Sequence, residues 1–369
     1  MIEEKVETTS AGMEKKEQIA QSNCKSAFCV ALPSSGGRPV KLTGESPHEF
    51  MPLLKDSAVA WLNFPVKDIK KDAEIIAMSL GFSSTLVPTI LSSYLSAYED
   101  RETEMGLMLP AVAVKKFEVL ISPILILIRK DLILTMHEEN VTRLIRFSRY
   151  ADAFMRKIKP NLILQDKLSI ILTRIIDENS NSNFEHLREL EAQGDELSKN
   201  LLDPLAPRGM IAPEIYNMKH ALISYMDTLW ATLDVVNSLR HGDAELITDN
   251  PKLLARIGIL SDDINRHISL SEHMSDVLAS GLEVLQSIYN NQLQALNNRL
   301  ALVVGWLTLL GTAVLVPNTL ATVFGNSAFE MGPQDRGWFS ALLISSTIFS
   351  TWLAYWWVKK KGLLPSEVG

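Results

Sequence analysis

The residues best suited to chemistry lie along one side of an apolar stretch near the end of the sequence. At the spacing of an α-helix, small and hydroxylated side chains recur on a single stripe, and the positions between them are mostly Leu, Val and Trp. The stripe comprises Gln294, Asn298, Ala301, Gly305, Thr308, Thr312, Leu315, Thr319, Thr322 and Asn326. Two explanations fit this pattern: close packing between helices, or a water-lined pore shared by several subunits.

The outer end of the stripe favours the pore. Pro317 removes a backbone hydrogen bond and predicts a helix break, Gly325 permits a tight turn, and Asn326 places a neutral amide at the mouth. A ring of amides and hydroxyl groups can hold a hydrated cation through its water shell. This suits Mg²⁺, because Mg²⁺ gives up its waters reluctantly. Glu330, in the following loop, is predicted to raise the cation concentration at the pore mouth.

The stripe belongs to a predicted transmembrane hairpin over residues 299–358. Two uncharged apolar spans, 302–323 and 338–358, flank an outer loop at 324–337. Each span has about 20 residues, enough for a helix to cross roughly 30 Å of hydrocarbon. Arg299 precedes the first span, and Lys359 and Lys360 open a basic tail at 359–369. The positive-inside rule therefore predicts a multi-pass protein of the cell (inner) membrane with both termini in the cytoplasm.

The residues before the hairpin predict a cytoplasmic body, so the overall class is α+β. Residues 1–45 are polar and are interpreted as a disordered tail that holds both cysteines, Cys24 and Cys29. Residues 46–205 predict an α/β domain. Its predicted strands are 58–64, 111–120, 124–128 and 132–136, the last three as a meander, and its predicted helices are 68–80, 84–100, 141–158 and 162–202, with a polar interruption at 179–183.

Residues 206–298 predict stalk helices that lead into the membrane. A helical pattern covers 213–240, and Asn250 followed by Pro251 starts a helix that can continue to residue 323. An apolar seam along this helix indicates a coiled coil: Ile257, Leu260, Ile264, Ile268, Met274, Leu278, Leu282 and Leu285. Asp262, Asp263 and His267 lie on the same helix and are candidate ligands of a regulatory cation, with a solvated charged face as the alternative.

Charge and motifs exclude two classes of function. The formal net charge is −7, so the basic face of a nucleic-acid-binding protein is not expected. The sequence has no phosphate-binding loop, nucleophile elbow or zinc-protease helix, and its carboxylates form no organised pair. The chain is therefore not predicted to be an enzyme.

Residues 315–333 resemble the signature segment of the CorA family of divalent-cation channels. That family has Pro-Leu-Thr, then small and apolar residues, then Tyr-Gly-Met-Asn-Phe and a Met-Pro-Glu segment. Here Pro317 and Thr319 match the proline and threonine, Phe324 stands for the tyrosine, Gly325 for the glycine and Asn326 for the asparagine.

Upstream segments extend the resemblance. Residues 298–300 and 307–308 are similar to the family's Ser-Asn-Arg-Leu-Asn and Leu-Thr segments, and residues 132–137 to its Leu-Val-Thr-Val-His strand. The chain departs from the family at the filter, where no methionine stands between glycine and asparagine. The family's pore asparagine falls near Ala301, and the lysine that usually follows falls near Gly305.

The resemblance implies a homopentamer in the lipid bilayer, with a cytoplasmic domain, a long stalk helix continuing into a two-helix hairpin, and gating by cytoplasmic cations. It implies transport of a divalent cation, foremost Mg²⁺, which would act as both substrate and regulator. Two alternatives stay open at this point: a Zn²⁺, Co²⁺ or Ni²⁺ transporter of the same architecture, and a non-conducting membrane-anchored sensor or scaffold.

Overall fold

A computed structural model of the protein describes residues 27–202, 208–241, 244–325 and 332–360. The chain divides into two compact units, Met1–Leu282 and Glu283–Gly369. The first unit holds a sheet with its covering helices, and the second holds the apolar spans. The division between the units falls inside one helix, upstream of the predicted start of the hairpin at residue 299.

The described strands form one mixed seven-stranded sheet in the order β2-β1-β3-β7-β6-β5-β4. They are β1 (Ala27–Pro33), β2 (Val40–Gly44), β3 (Ser57–Val66), β4 (Ala97–Arg101), β5 (Glu104–Lys115), β6 (Glu118–Arg129) and β7 (Leu132–Glu138). Strands β3 and β7 are parallel, and the other neighbouring pairs are antiparallel. The predicted α+β class is confirmed. A meander is present as β5-β6-β7, but the predicted strand 111–120 spans the turn between β5 and β6.

The helices of the described residues are α1 (Pro47–Lys55), α2 (Ile69–Ser79), α3 (Leu86–Leu91), α4 (Arg143–Phe147), α5 (Ala151–Met155), α6 (Leu164–Leu202), α7 (Arg208–His241), α8 (Pro251–Phe324) and α9 (Arg336–Lys360). Helices α8 and α9 are each long and apolar enough to cross a membrane. The predicted spans 302–323 and 338–358 fall inside them.

Alternation along the strands produces a core on each face of the sheet. Trp61 of β3 and Ile133 of β7 belong to one core, and their neighbours Leu62 and Leu134 belong to the other. This follows from the period of two in a strand, which sends successive side chains to opposite faces. Helices α1 to α3 cover the Leu62 face, while α4 to α7 and the beginning of α8 cover the Trp61 face.

The N-terminal prediction of a disordered tail is wrong for residues 27–44. These residues form the hairpin β1-β2, and Gly36 and Gly37 in its turn have positive φ angles of 76° and 127°. Cys29 is fully buried in β1, and this burial raises the pKa of its thiol to about 12. Residues 1–26, including Cys24, lie outside the described residues.

Two predicted helices are shorter than expected. Only Leu86–Leu91 is helical within 84–100, because Ala97–Arg101 joins the sheet as β4. The segment 141–158 contains two short helices rather than one. The strand boundaries also shift. Pro123 does not end a strand but lies inside β6 opposite Pro110 of β5, so two residues without a backbone N–H face each other.

Helix α6 is continuous through its predicted polar interruption at residues 179–183. Asn179 and Asn183 are buried against the sheet, and both accept hydrogen bonds from the buried guanidinium of Arg143. Arg143 also donates to the carbonyl oxygen of Val112 in β5, and the backbone N–H of Val112 donates to Asn183 Oδ1 at 3.1 Å. These two helix positions therefore carry polar residues because their side chains bind the Arg143 cation between the sheet and the helix.

The Arg143 guanidinium is surrounded by neutral oxygens rather than by carboxylates. Burial lowers its pKa to about 10, with Arg146 as a smaller cause, so it stays protonated at neutral pH. A buried cation is tolerated only when hydrogen bonds replace its lost water. Asn183 thus accepts hydrogen bonds both from the Arg143 guanidinium and from the backbone N–H of Val112 in β5.

A second buried polar chain links the parallel strands β3 and β7. Trp61 Nε1 donates to Thr135 Oγ1 at 3.0 Å, and the Thr135 hydroxyl donates to Asn63 Oδ1 at 2.7 Å. Asn63 Nδ2 donates to His137 Nε2 at 3.1 Å, and His137 Nδ1 donates to the Glu138 carbonyl at 2.7 Å. All four bonds fit one neutral imidazole tautomer, and burial lowers the pKa of His137 to about 4.

The apolar seam at the start of α8 packs within the chain rather than in a coiled coil. Ile257, Leu260, Ile264 and Ile268 are buried in the core that also contains residues of α6 and α7. The Ser261 hydroxyl donates to Asn237 Oδ1 of α7 at 2.9 Å, beside this seam. Packing on the two neighbouring helices explains the seam in this region.

Replacing Asn183 with Ala is expected to destabilise the protein by about 2–4 kcal/mol, because it leaves the Arg143 cation and the Val112 N–H short of an acceptor. The apparent thermal unfolding midpoint of the purified full chain measures this change. Asn181→Ala is the matched control. It makes the same substitution on the same helix but removes only a 3.2 Å bond to Asp177 at an exposed site. Equal midpoints for the two variants would contradict the role of Asn183.

Stability is expected to fall as pH drops from about 6.5 to about 4, because His137 then gains a proton more readily in the unfolded chain than in the folded one. This single group contributes a loss of roughly 3 kcal/mol at the acid end of that window, and none above it. His137→Gln cannot titrate and should flatten the profile of unfolding midpoint against pH. The control His220→Gln, at an exposed position, should keep the wild-type slope.

Candidate ion pathway

Helix α8 carries the predicted stripe without a break at Pro317. It runs through this residue and ends at Phe324. The predicted helix break is therefore wrong. Proline removes one backbone hydrogen bond, and the bonds on either side of it hold the helix together, as membrane helices allow. The stripe stays on one regular helical face up to its last described turn.

The threonine hydroxyls of the stripe donate back to their own helix. Each one donates to the carbonyl oxygen four residues earlier: Thr308 to Val304 at 2.8 Å, and Thr312 to Thr308, Thr319 to Leu315 and Thr322 to Asn318 at 2.7 Å each. A hydroxyl group has one proton to donate. Once that proton is in a hydrogen bond within the helix, the oxygen can only accept hydrogen bonds from other groups. The four threonines thus present oxygen lone pairs along the helix surface.

The stripe lies on the opposite side of α8 from its intrachain partner. Trp306, Leu309, Leu310 and Ala313 line an apolar groove of about 530 Å³ together with residues of α9. At 100° per residue, the mean direction of the four threonines is roughly 145° away from the mean direction of these groove residues. Packing of α8 on α9 within one chain therefore does not explain the stripe.

Phe324 sits on the groove side rather than on the stripe. Its ring meets Trp338 and Phe339 at centroid distances of 6.4 and 6.3 Å. This aromatic group ties the end of α8 to the beginning of α9. Phe324, which stands at the family's tyrosine position, thus joins the two helices of the hairpin through its ring contacts.

Gly325 closes α8 with its N–H donating to the Ala321 carbonyl at 2.8 Å. A Cβ at this position would lie 2.7 Å from the same carbonyl oxygen, closer than real contacts allow. The backbone at the helix end therefore requires a residue without a side chain. Asn326 and Glu330, the predicted filter amide and mouth carboxylate, lie outside the described residues.

Asp335 is an organising residue that the sequence analysis missed. Its carboxylate accepts from the Gly332 N–H at 2.9 Å and from Trp338 Nε1 at 3.0 Å. It thereby fixes the 3₁₀ turn Pro333–Asp335 that leads into α9. The signal was present in the sequence, because a proline and then an acidic residue just before an apolar run mark a helix start.

The candidate regulatory residues are not gathered into a site within one chain. Asp263 pairs with Arg266 one turn along α8. The His267 ring stacks on Phe184 at 4.1 Å, and burial lowers its pKa below the ordinary value. Asp262 is exposed on the outer side of α8. Within the described ranges, no three His, Cys, Asp or Glu side chains come together as metal ligands.

The geometry of α8 thus provides a row of neutral acceptor oxygens on an uncharged helix. No charged residue occurs in the sequence between Arg299 and Glu330. Such a surface offers nothing for bond-making chemistry. It can accept hydrogen bonds from water molecules or from a hydrated cation.

Comparisons with known proteins agree with this architecture. A family model described as "CorA-like Mg2+ transporter protein" matches residues 56–360. The structure is similar to the complete CorA magnesium transporter from Methanocaldococcus jannaschii, with 18% identity, a TM-score of 0.66 and coverage of 92% of this chain and 98% of that one.

Two further structures share the fold. The full-length CmaX protein has 11% identity and a TM-score of 0.63 over 91% of this chain and 98% of its own. The ZntB cytoplasmic domain from Vibrio parahaemolyticus has 15% identity and a TM-score of 0.54 over 72% of this chain and 98% of its own. Curated protein sequences contain no match.

The family match covers most of the chain, including the sheet, the long helix α8 and both apolar spans. The chain is therefore a membrane protein with two transmembrane helices, and it belongs to the CorA-like Mg²⁺ transporter family of divalent-cation transporters, which are not enzymes.

Proposed function

We propose that this chain is the subunit of a homopentameric channel that conducts divalent cations, with Mg²⁺ as its main substrate. The pore is lined by the threonine stripe of α8. The observation that carries this proposal is the orientation of that stripe. Its acceptor oxygens point away from α9, on a surface that neighbouring subunits can share around a common axis.

The chemistry of the stripe favours a cation that keeps its water. The protons of a hydration shell point outward, so the pore wall must supply acceptors, and the hydroxyl oxygens of Thr308, Thr312, Thr319 and Thr322 do so. Residues 300–325 contain no His, Cys or Met. The nitrogen and sulfur ligands that Zn²⁺, Co²⁺ and Ni²⁺ favour are therefore missing, which supports Mg²⁺ over those ions.

The outer mouth of the proposed pore can attract cations although no charged side chain lies in the pore itself. Helix α8 ends at Phe324, so the partial negative charge of its C-terminal carbonyls is directed at the outer loop. In the pentamer, five such helix ends surround the mouth. Gly325 closes the helix there, the Asn326 amides form the filter ring, and Glu330 raises the local cation concentration.

We place the gating cation between neighbouring subunits, where carboxylates of two chains can meet; within the described residues of one chain, no three candidate ligands come together. Of the three predicted ligands, Asp262 is the one that is exposed on α8. Asp263 is already neutralised by Arg266, and His267 is stacked on Phe184. A cation bound at Asp262 between neighbouring subunits would favour one of two pore states.

Thr312→Val is expected to reduce Mg²⁺ influx into proteoliposomes at least tenfold, because every subunit loses one acceptor worth about 1 kcal/mol to the hydration shell. Asn326→Ala is expected to abolish flux or its selectivity. Influx is measured with a trapped Mg²⁺-sensitive dye, alongside Zn²⁺, Co²⁺ and Ni²⁺. Light scattering in detergent should give five subunits for each protein.

Thr351→Val is the matched control. Thr351 also donates to the carbonyl four residues earlier, at 2.7 Å, but it lines the groove between α9 and α8. This variant should conduct normally. Normal flux in Thr312→Val, or an equal loss in Thr351→Val, would rule out the proposed pore face. No flux of any ion from an assembled wild-type pentamer would indicate the sensor or scaffold instead.

A further inference from the structure

The first unit contains a concave basic pocket that the proposed ion pathway does not use. Its volume is about 740 Å³, within the range typical of small-molecule sites. It lies where the segment around α5 meets α6 and the first turns of α8. Its polar and aromatic lining comprises Tyr150, Phe154, Lys157, Lys159, Arg174 and Arg256.

The pocket concentrates positive charge in an acidic protein. The whole chain has 43 acidic and 36 basic side chains. Yet four basic side chains and no carboxylate line this pocket. Within the ranges that the structure describes, Lys157, Lys159 and Arg256 make no ion pair. Unpaired cations that converge on a cavity leave a strong site for an anion, since phosphate groups bind Lys and Arg through charge-assisted hydrogen bonds.

The aromatic wall of the pocket is held in place from behind. The ring of Phe147 meets Tyr150 at 5.0 Å and Phe154 at 6.0 Å between centroids. The Tyr150 hydroxyl donates to Glu178 at 2.6 Å. These contacts fix the rings before any ligand arrives, which lowers the entropic cost of binding. A flat aromatic ligand can stack on such a surface.

Arg174 completes the preorganised part of the site. Its guanidinium donates to Asp177 at 2.6 Å and to Glu178 at 3.1 Å. Both carboxylates lie outside the pocket lining, so they orient Arg174 while partly neutralising it. The unpaired charge available to a ligand therefore comes from Lys157, Lys159 and Arg256.

We propose that this pocket binds a nucleoside polyphosphate, with its phosphates on Lys157, Lys159 and Arg256 and its base against Tyr150 and Phe154. A nucleic acid is disfavoured because the chain as a whole is acidic and the four basic residues line a single concavity rather than a basic stripe. The ligand would contact α8 through Arg256, on the same helix that carries the threonine stripe. The proposal does not depend on cation conduction.

The test is isothermal titration of ATP into the purified full chain in detergent, with EDTA present so that cation binding cannot contribute. Adenosine and tripolyphosphate are titrated separately, and each is expected to bind at least tenfold more weakly than ATP. The double variant Lys157→Ala with Lys159→Ala is expected to weaken ATP binding at least tenfold. Tyr150→Leu should weaken ATP but not tripolyphosphate.

The double variant Lys70→Ala with Lys71→Ala is the control, because it removes the same charge from exposed positions on α2, outside the pocket. It should bind ATP as the wild type does. Absence of ATP binding to the wild type would overturn the proposal, as would equal losses in the two double variants. Tripolyphosphate binding as tight as that of ATP would show a phosphate site with no part for the base.

Discussion

A helix in hydrocarbon must satisfy its polar groups internally, and this requirement determines how the threonine stripe of α8, the proposed pore face, is built. The threonine hydroxyls of α8 meet it by donating to carbonyls four residues earlier. The same bonds leave their oxygens directed outward as acceptors. One local interaction therefore reconciles a stable apolar span with a surface that water and hydrated cations can use. Because the groove residues occupy the other side of α8, the two roles do not compete.

The cytoplasmic unit obeys the same rule with other residues. Arg143 and His137 are ionisable groups, and both are buried and hydrogen-bonded within the chain. Their partners hold sheet strands together or join the sheet to α6. Burial keeps the imidazole neutral, whereas the guanidinium stays charged despite its burial because its lowered pKa of about 10 is still above neutral pH. His137 cannot bind an ion without losing these structural bonds, and the Arg143 guanidinium, a cation without an acceptor atom, cannot bind a cation at all.

The sequence predicts long elements well and short ones poorly, for physical reasons. Helices α7, α8 and α9 repeat one pattern over many turns, so their extents follow from periodicity. The strand β1 is a short apolar run beside a polar segment, and only its sheet neighbours β2 and β3 identify it. Residues 179–183 are polar, as an exposed interruption of the helix would be. Asn179 is polar because it binds the buried Arg143, which lies 36 residues earlier and is brought close only by the fold. The stripe was predictable, whereas the pairing of Asp263 and His267 with other side chains was not.

The departures from the family pattern in the cytoplasmic half of the proposed pore all replace larger polar or charged residues with small uncharged ones. The resemblance puts Gly305 near the place of a family lysine and Ala301 near that of a pore asparagine, so side chains in the cytoplasmic half of the proposed pore are small there. The sequence has no charged residue between Arg299 and Glu330. A pore without fixed charges cannot replace the water of a divalent ion, because burying a bare charge among neutral oxygens is costly. In the proposed pore the ion would therefore keep its hydration shell, and selectivity would depend on the fit of the hydrated cation to the spacing of the acceptor oxygens. The proposed substrate, Mg²⁺, suits such a wall because it gives up its waters reluctantly.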